Sequence, residues 1–268
     1  MIVAVLGGGK IGEAVALNVA KSRNVAKVIV TKRNVSTIKK LESSKIEVTP
    51  DNKLATKRAD VIILAVKAGD ARPLLAEIEK LTEGKLVISL MAAISIKRLE
   101  SALPMAKVVR TMPNIAATVG QAITAYSYSS NFRKADIETV QSILSCFGEY
   151  VEVPEYLMNA VTALSGSGPA YIALVIEALV SAGLMVGLPR DLSLKLATKT
   201  LTGTANMLNQ HGIHPAELRD SVTTPAGTTI AGIYELEKGS LRTSIMNAVE
   251  AATKAAEKVA RRFDEEQS

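Results

Sequence analysis

Short apolar runs rich in β-branched residues recur through the first half of the chain, at 2–6, 27–31, 45–48, 61–65, 86–90 and 106–110. The stretches between them carry hydrophobic positions at helical spacing. Runs apolar on both faces are what parallel strands covered by helices require, so the pattern predicts a doubly wound α/β sheet. Two further strand-like pieces, 122–127 and 149–153, flank a helical stretch at 132–145 and complete that sheet. From Pro154 the period changes. Residues 157–164, 170–186, 190–210, 228–237 and 241–263 all read as helices, with stop signals at Gly187-Leu188-Pro189, His211-Gly212 and Gly239. The expected organisation is an α/β domain over 1–153 and an all-α domain over 154–268, with no low-complexity linker between them and a frayed tail at 264–268.

Composition narrows the chemistry. With 48% hydrophobic and 22% charged residues among 268, the chain is neither disordered nor fibrous. A single cysteine, Cys146, forms no internal disulfide, and with only His211 and His214 beside it a metal site is not expected. A reducing compartment fits. The first six residues lack a basic lead region, which points to a cytoplasmic protein. Residues 170–188 imitate a membrane span, with Glu177 as their one charge and the Gly183 to Gly187 spacing of lipid-embedded helix pairs. Basic flanks and aromatic belts are absent, so no membrane is expected and the segment reads as the core helix of an obligate oligomer.

The net charge of +6 is unevenly placed: residues 1–58 hold 12 Lys and Arg against Glu13, Glu42, Glu47 and Asp51. Nine aromatics leave little for base stacking, so nucleic acid is not an expected partner and a small polyphosphate explains the asymmetry better.

Gly7-Gly8-Gly9-Lys10-Ile11-Gly12 follows the first strand and opens a helix. Glycine is needed there because the backbone turns tightly, approaches a pyrophosphate closely and packs helix on strand, leaving the phosphates at the positive helix end. The pattern thus predicts a Rossmann-type dinucleotide site. At the end of the second strand an NAD site normally places an acid for the ribose 2′-OH, whereas this chain has Thr31-Lys32-Arg33-Asn34. Lys32 and Arg33 suit a 2′-phosphate, so NADPH is the expected cofactor, with NADH a further option; a solvated basic turn is the structural alternative. Asn52, just before a helix, reaches the adenosine ribose or caps that helix. Lys67 and the segment Leu90-Met91-Ala92 lie at the ends of strands four and five, where open sheets bind ligands.

The acid-base residue of an alcohol dehydrogenase is missing. Arg110-Thr111-Met112-Pro113-Asn114 follows strand six at the ligand edge. Ser165-Gly166-Ser167-Gly168-Pro169-Ala170 offers Ser167 as a helix N-cap; a capped start and a catalytic serine both fit, although no nearby His completes a nucleophile and base pair. His214-Pro215 reads as a helix start. Thr224-Pro225-Ala226-Gly227-Thr228-Thr229 exposes backbone N–H groups and two hydroxyls at another helix start, an anion cradle suited to a carboxylate.

Taken in order, Val108–Asn114, Ala163–Tyr171 and Val222–Gly232 resemble the hallmark stretches of the pyrroline-5-carboxylate reductases. The resemblance implies a Rossmann domain followed by a helical dimerisation domain, assembled as a homodimer or higher homo-oligomer. It also implies reduction of 1-pyrroline-5-carboxylate to L-proline with NAD(P)H. It places cofactor contacts at Leu6, Gly7, Gly8, Gly9, Lys10, Ile11, Lys32, Asn52, Ala65, Val66, Lys67, Leu90, Met91 and Ala92, and substrate contacts at Val222, Gly227, Thr228 and Thr229. A protonated cyclic imine already accepts hydride, so a hydroxyl beside the ring nitrogen suffices, and Thr229 is the candidate. Ala68, Ala93 and Ala226 depart from the family's usual Pro, Gly and Gly. Competing readings are another NADP-dependent dehydrogenase of the same fold and a non-catalytic NADP-binding sensor. A β-hydroxyacid dehydrogenase would need an acid lysine, and Lys195 and Lys199 come well after the Ser-Gly-Ser-Gly-Pro turn.

Overall fold

In the computed structural model, which describes residues 1–265 in backbone and side chains as far as Phe263, strands alternate with helices along the first half. The elements run β1 (Ile2–Leu6), α1 (Lys10–Val19), β2 (Lys27–Thr31), β3 (Ile46–Thr49), α2 (Asn52–Arg58), β4 (Val61–Leu64), α3 (Ala71–Ile78), β5 (Leu86–Ser89), α4 (Ile96–Ala102), β6 (Lys107–Met112), β7 (Ala122–Tyr128), α5 (Lys134–Leu144) and β8 (Gly148–Glu152). One eight-stranded sheet results, in the order β3-β2-β1-β4-β5-β6-β7-β8. Every pair is parallel except β6 with β7. The order turns outward in both directions from β1 and β4, which is the crossover where open α/β sheets bind ligands.

The alternation within β1 shows how the sheet is held. Val3 and Val5 point into one apolar cluster with Val15, Val19, Val28 and Val30, while Ala4 and Leu6 point into the other with Ile29, Ile62 and Leu64. These four side chains of β1, Val3 to Leu6, are inaccessible to solvent. A strand buried on both faces cannot alternate apolar with polar residues, and this is why the runs read as continuous hydrophobic stretches.

Two boundaries differ from expectation for identifiable reasons. β6 continues past Arg110 to Met112 because β7 runs antiparallel alongside it and pairs Met112 with Ala125. Arg110 is consequently a strand residue, buried, with Nη1 donating to Glu155 Oε1 at 3.0 Å. Beyond β8, α6 (Met158–Val161) runs directly into a π-helical turn, Thr162–Gly166, and then into α7 (Gly168–Met185). Ser167 has helical backbone angles, φ −85° and ψ −21°, so it is not the N-cap that its sequence suggests.

The chain divides into two compact units, Met1–Ser167 with Ala252–Ser268, and Gly168–Ala251. The sheet ends near the expected boundary at 153, yet compactness divides the chain later, because α6 and the π turn pack with the sheet unit. The second unit holds α7, α8 (Arg190–His211), α9 (Pro215–Ser221), α10 (Thr228–Lys238) and the start of α11 (Leu241–Glu265). His214 caps α9, its side chain accepting from the Ala216 N–H, with Pro215 in the first turn. Of the tail expected to fray, 264 and 265 continue the α11 backbone, and 266–268 lie outside the described residues.

Lys85 secures the far side of the sheet. Its ammonium donates to the carbonyls of Thr56, Lys57 and Ala59 at 2.6, 2.9 and 2.8 Å, the oxygens that the C-terminus of α2 leaves without helical partners. Burial pushes the Lys85 pKa down. Replacing Lys85 with Met keeps most of the apolar stem and removes all three bonds. The expected result is a loss of about 1–3 kcal/mol in urea unfolding, the cost of carbonyls left unpaired; an unchanged midpoint would show that water replaces the ammonium.

Candidate functional site

Steric exclusion builds the turn between β1 and α1. Gly7 has φ +113°, and a Cβ on Gly12 would lie 1.9 Å from the Gly7 carbonyl oxygen. Gly7 and Gly8 both donate to the Thr31 carbonyl, at 3.2 and 2.7 Å, and Gly9 donates back to Gly7. These bonds occupy the donors of the loop itself. The first turn of α1 has no side-chain cap, so the N–H groups of Lys10, Ile11 and Gly12 remain for a ligand at the positive end of the helix. Gly9 and Lys10 are exposed beside them. A pyrophosphate fits this cradle, which accommodates no side chain at Gly7 or Gly12.

The remaining residues of the first set share the same edge. The paired registers Leu6 with Thr31, Leu6 with Leu64 and Leu64 with Ser89 bring the ends of β1, β2, β4 and β5 level. Lys32 and Arg33 follow β2, Ala65 to Lys67 follow β4, and Leu90 to Ala92 follow β5. Leu6 and Met91 are buried, which leaves only their backbone to meet a ligand, whereas Lys67 and Ala92 are exposed. Asn52 is not the cap of α2: Asp51 takes that role, accepting from the Leu54 N–H. The Asn52 amide instead accepts from the Thr31 hydroxyl and donates to Glu77, linking the end of β2 to α3.

Acids already meet both cations after β2. Arg33 pairs with Asp70 at 2.9 Å, and Lys32 lies 3.6 Å from Glu13, which Lys40 approaches from the other oxygen at the same distance. In the sequence Glu13 stands only as one of the few N-terminal acids, and no motif marks Lys40. The available signal was Glu13 in the first turn of the helix that opens on the glycines.

In the second unit, Val222 and Gly227 lie in the short stretch joining α9 to α10, and Thr228 and Thr229 are the first two residues of α10. The Gly227 N–H closes the turn onto the Thr224 carbonyl at 3.0 Å. Helix α10 then begins without a side-chain cap at Gly227, so its first N–H groups are open to an anion beside the Thr228 and Thr229 hydroxyls. Ala226, just before it, is held at φ +54°, and Ala93, after β5, at φ +66°.

Other candidates recede. His214 is occupied as a cap, and the Ser165 hydroxyl is buried in the π turn without a hydrogen-bond partner, so no nucleophile and base pair forms there. Burial pushes the Cys146 thiol pKa up, away from reactivity. Among the described residues no cluster of His, Cys, Asp or Glu is placed to hold a metal ion. One helical stretch, Glu155–Met185, is long and apolar enough to cross a membrane by length and composition.

Known proteins resemble the chain over nearly its whole length. Residues 155–259 match the family described as pyrroline-5-carboxylate reductase dimerisation, and residues 2–93 the family described as NADP oxidoreductase, coenzyme F420-dependent. The pyrroline-5-carboxylate reductase of Synechocystis sp. is 39% identical over 92% of this chain and 94% of its own. That of Methanosarcina acetivorans is 41% identical over 91% and 92%. The crystal structure of Plasmodium falciparum pyrroline carboxylate reductase with NADP bound superposes with a TM-score of 0.88 at 30% identity, covering 97% of this chain and 98% of that one. The Coxiella burnetii pyrroline-5-carboxylate reductase structure gives 0.89 at 30% identity, over 96% and 97%.

The two left-handed alanines make a stability test. Relieving each with glycine is expected to raise stability by roughly 0.5–1 kcal/mol, the left-handed cost of a Cβ less the extra chain entropy of glycine. Thermal unfolding of Ala93→Gly and Ala226→Gly measures it, and a lower Tm in either would show that the methyl packs usefully.

Proposed function

The chain belongs to the pyrroline-5-carboxylate reductase family, and on that premise we propose that it reduces 1-pyrroline-5-carboxylate to L-proline, the last step of proline biosynthesis, with NADPH as the hydride donor. The fold is a Rossmann-type sheet followed by the family's helical dimerisation domain, and the activity is that of an NADP-dependent oxidoreductase.

Roles follow from what each unit offers. When bound, NADPH supplies a hydride, the chemistry that no side chain provides. Residues 1–153 serve as the cofactor domain: the N–H groups of Lys10 to Gly12 bind the pyrophosphate, Lys32 and Arg33 the 2′-phosphate, Asn52 the ribose, and the backbone at Ala65 to Lys67 and Leu90 to Ala92 lines the cofactor's edge. Residues 154–268 supply the substrate turn. There the open N–H groups at the start of α10 hold the substrate carboxylate, with Val222 alongside. The Thr229 hydroxyl gives the ring nitrogen a hydrogen-bonding partner, which suits a protonated imine that needs orientation more than an acid. The uncapped start of α10, bearing two threonines, is the single observation that carries the substrate reading.

The protein acts in the cytoplasm, free of membranes and nucleic acid, as a homodimer or a larger homo-oligomer. Support for assembly comes from α7: of its 18 residues only Val180 is buried, while Ile172, Leu174, Leu179 and Met185 face outward. An apolar surface of that extent is covered by another chain in a soluble protein.

Two experiments test these readings. Thr229→Val keeps the shape and removes the hydroxyl. With synthetic pyrroline-5-carboxylate, NADPH consumption is expected to fall roughly tenfold to a hundredfold while NADPH affinity holds; wild-type kcat/KM would remove Thr229 from the mechanism, and no turnover in the wild type would leave a cofactor sensor. Light scattering at micromolar protein is expected to give at least a dimer, and Val186→Glu to disperse or unfold it by burying an unpaired charge. A monodisperse monomer would overturn the assembly.

A further inference from the structure

Glu13, in the first turn of α1, gathers two lysines from outside its own helix. Lys32 Nζ lies 3.6 Å from its Oε1 and Lys40 Nζ 3.6 Å from its Oε2. The placement of Lys40 follows from its neighbours. Ile38 and Leu41 are buried in the apolar cluster under the sheet. Ile38 lies directly beneath the glycine loop, its Cδ1 3.1 Å from where a Cβ on Gly8 would stand. With those two side chains turned inward, the short 3₁₀ turn Lys39–Leu41 leaves Lys39 and Lys40 exposed beside the cradle. Core burial of Ile38 and Leu41 therefore places Lys40 at the cradle, with the Glu13 carboxylate within reach of its ammonium.

Charge at this corner is unbalanced. Lys32, Arg33, Lys39 and Lys40 stand against Glu13 and Asp70, so cationic charge remains in excess after the pairs form. At 3.6 Å, with the Lys40 side chain 73% exposed, its pairing with Glu13 is weak, and a dianionic phosphate competes well for the same ammonium.

We propose that Lys40 is a specificity-determining residue that pairs with the 2′-phosphate of NADPH together with Lys32. NADH carries a hydroxyl at that position, so its affinity is independent of Lys40. This assignment rests on the reading of Lys32 and Arg33 as the phosphate site and adds a residue to it.

The test is direct binding to the full-length protein, by NADPH and NADH fluorescence titration without substrate, for Lys40→Ala, Lys40→Arg, Lys40→Glu and, as a control, Lys32→Ala. The NADPH Kd is expected to stay near wild type in Lys40→Arg, to rise about threefold to tenfold in Lys40→Ala and to rise further in Lys40→Glu, with NADH changing less than about twofold throughout. The salt dependence of NADPH binding should flatten in the same order. If Lys32→Ala is selective for NADPH while Lys40→Ala leaves NADPH unchanged, or weakens both cofactors alike, Lys40 is not part of the site. If Lys32→Ala also leaves NADPH untouched, the phosphate is held elsewhere and both readings fall.

Discussion

The space between Gly7 and Gly12 is too small for any side chain, and much of the functional architecture depends on that exclusion. A methyl group at Gly12 would lie 1.9 Å from the Gly7 oxygen, well inside van der Waals contact. Because the backbone closes so tightly, α1 starts directly above the end of β1, and its first N–H groups face the ligand edge rather than the interior. The Thr31 carbonyl, accepting from both Gly7 and Gly8, locks the end of β2 to the same loop. The cations after β2 are thereby tied in register to the start of α1. Polar bonds set the direction of the turn, and van der Waals contact sets its position; neither suffices alone.

Legibility in the sequence followed the physics of each region. β1 and β2 were read to the residue because strands buried on both faces leave an uninterrupted apolar signature. β6 was read short, since nothing in Arg110-Thr111-Met112 announces that an antiparallel neighbour will extend the pairing. Ser167 looked like a cap because Ser before Gly-Pro usually ends an irregular stretch, but the incoming chain was already helical through the π turn, a state that depends on tertiary packing. In the candidate site, the glycine loop and the Thr228-Thr229 turn were visible since both are local backbone devices. The convergence of Glu13, Lys32 and Lys40 was not, because it requires the fold to bring β2, the turn after it and α1 to one corner.

The two units bury themselves in different ways. The sheet unit completes its core within one chain, with apolar clusters on both faces of the sheet. The helical unit leaves most of α7 uncovered. The first closes its apolar core within itself, and the second leaves apolar side chains on its surface. That uncovered surface falls within Glu155–Met185, the stretch long and apolar enough to cross a membrane by length and composition.

Glu13 also bears on how cofactor preference can change over evolutionary time. The familiar single step from NADPH toward NADH puts an acid at the end of the second strand, here at Lys32 or Arg33. In this protein an acid at 32 would arrive beside Glu13, with Lys40 left as the shared counter-ion, so the first substitution meets like-charge repulsion before any ribose bond rewards it. The effect of an acid at position 32 would thus depend on the residue at position 13. At position 32 the smoother route runs through loss of Glu13 first, whereas an acid at position 33 would meet Asp70 instead.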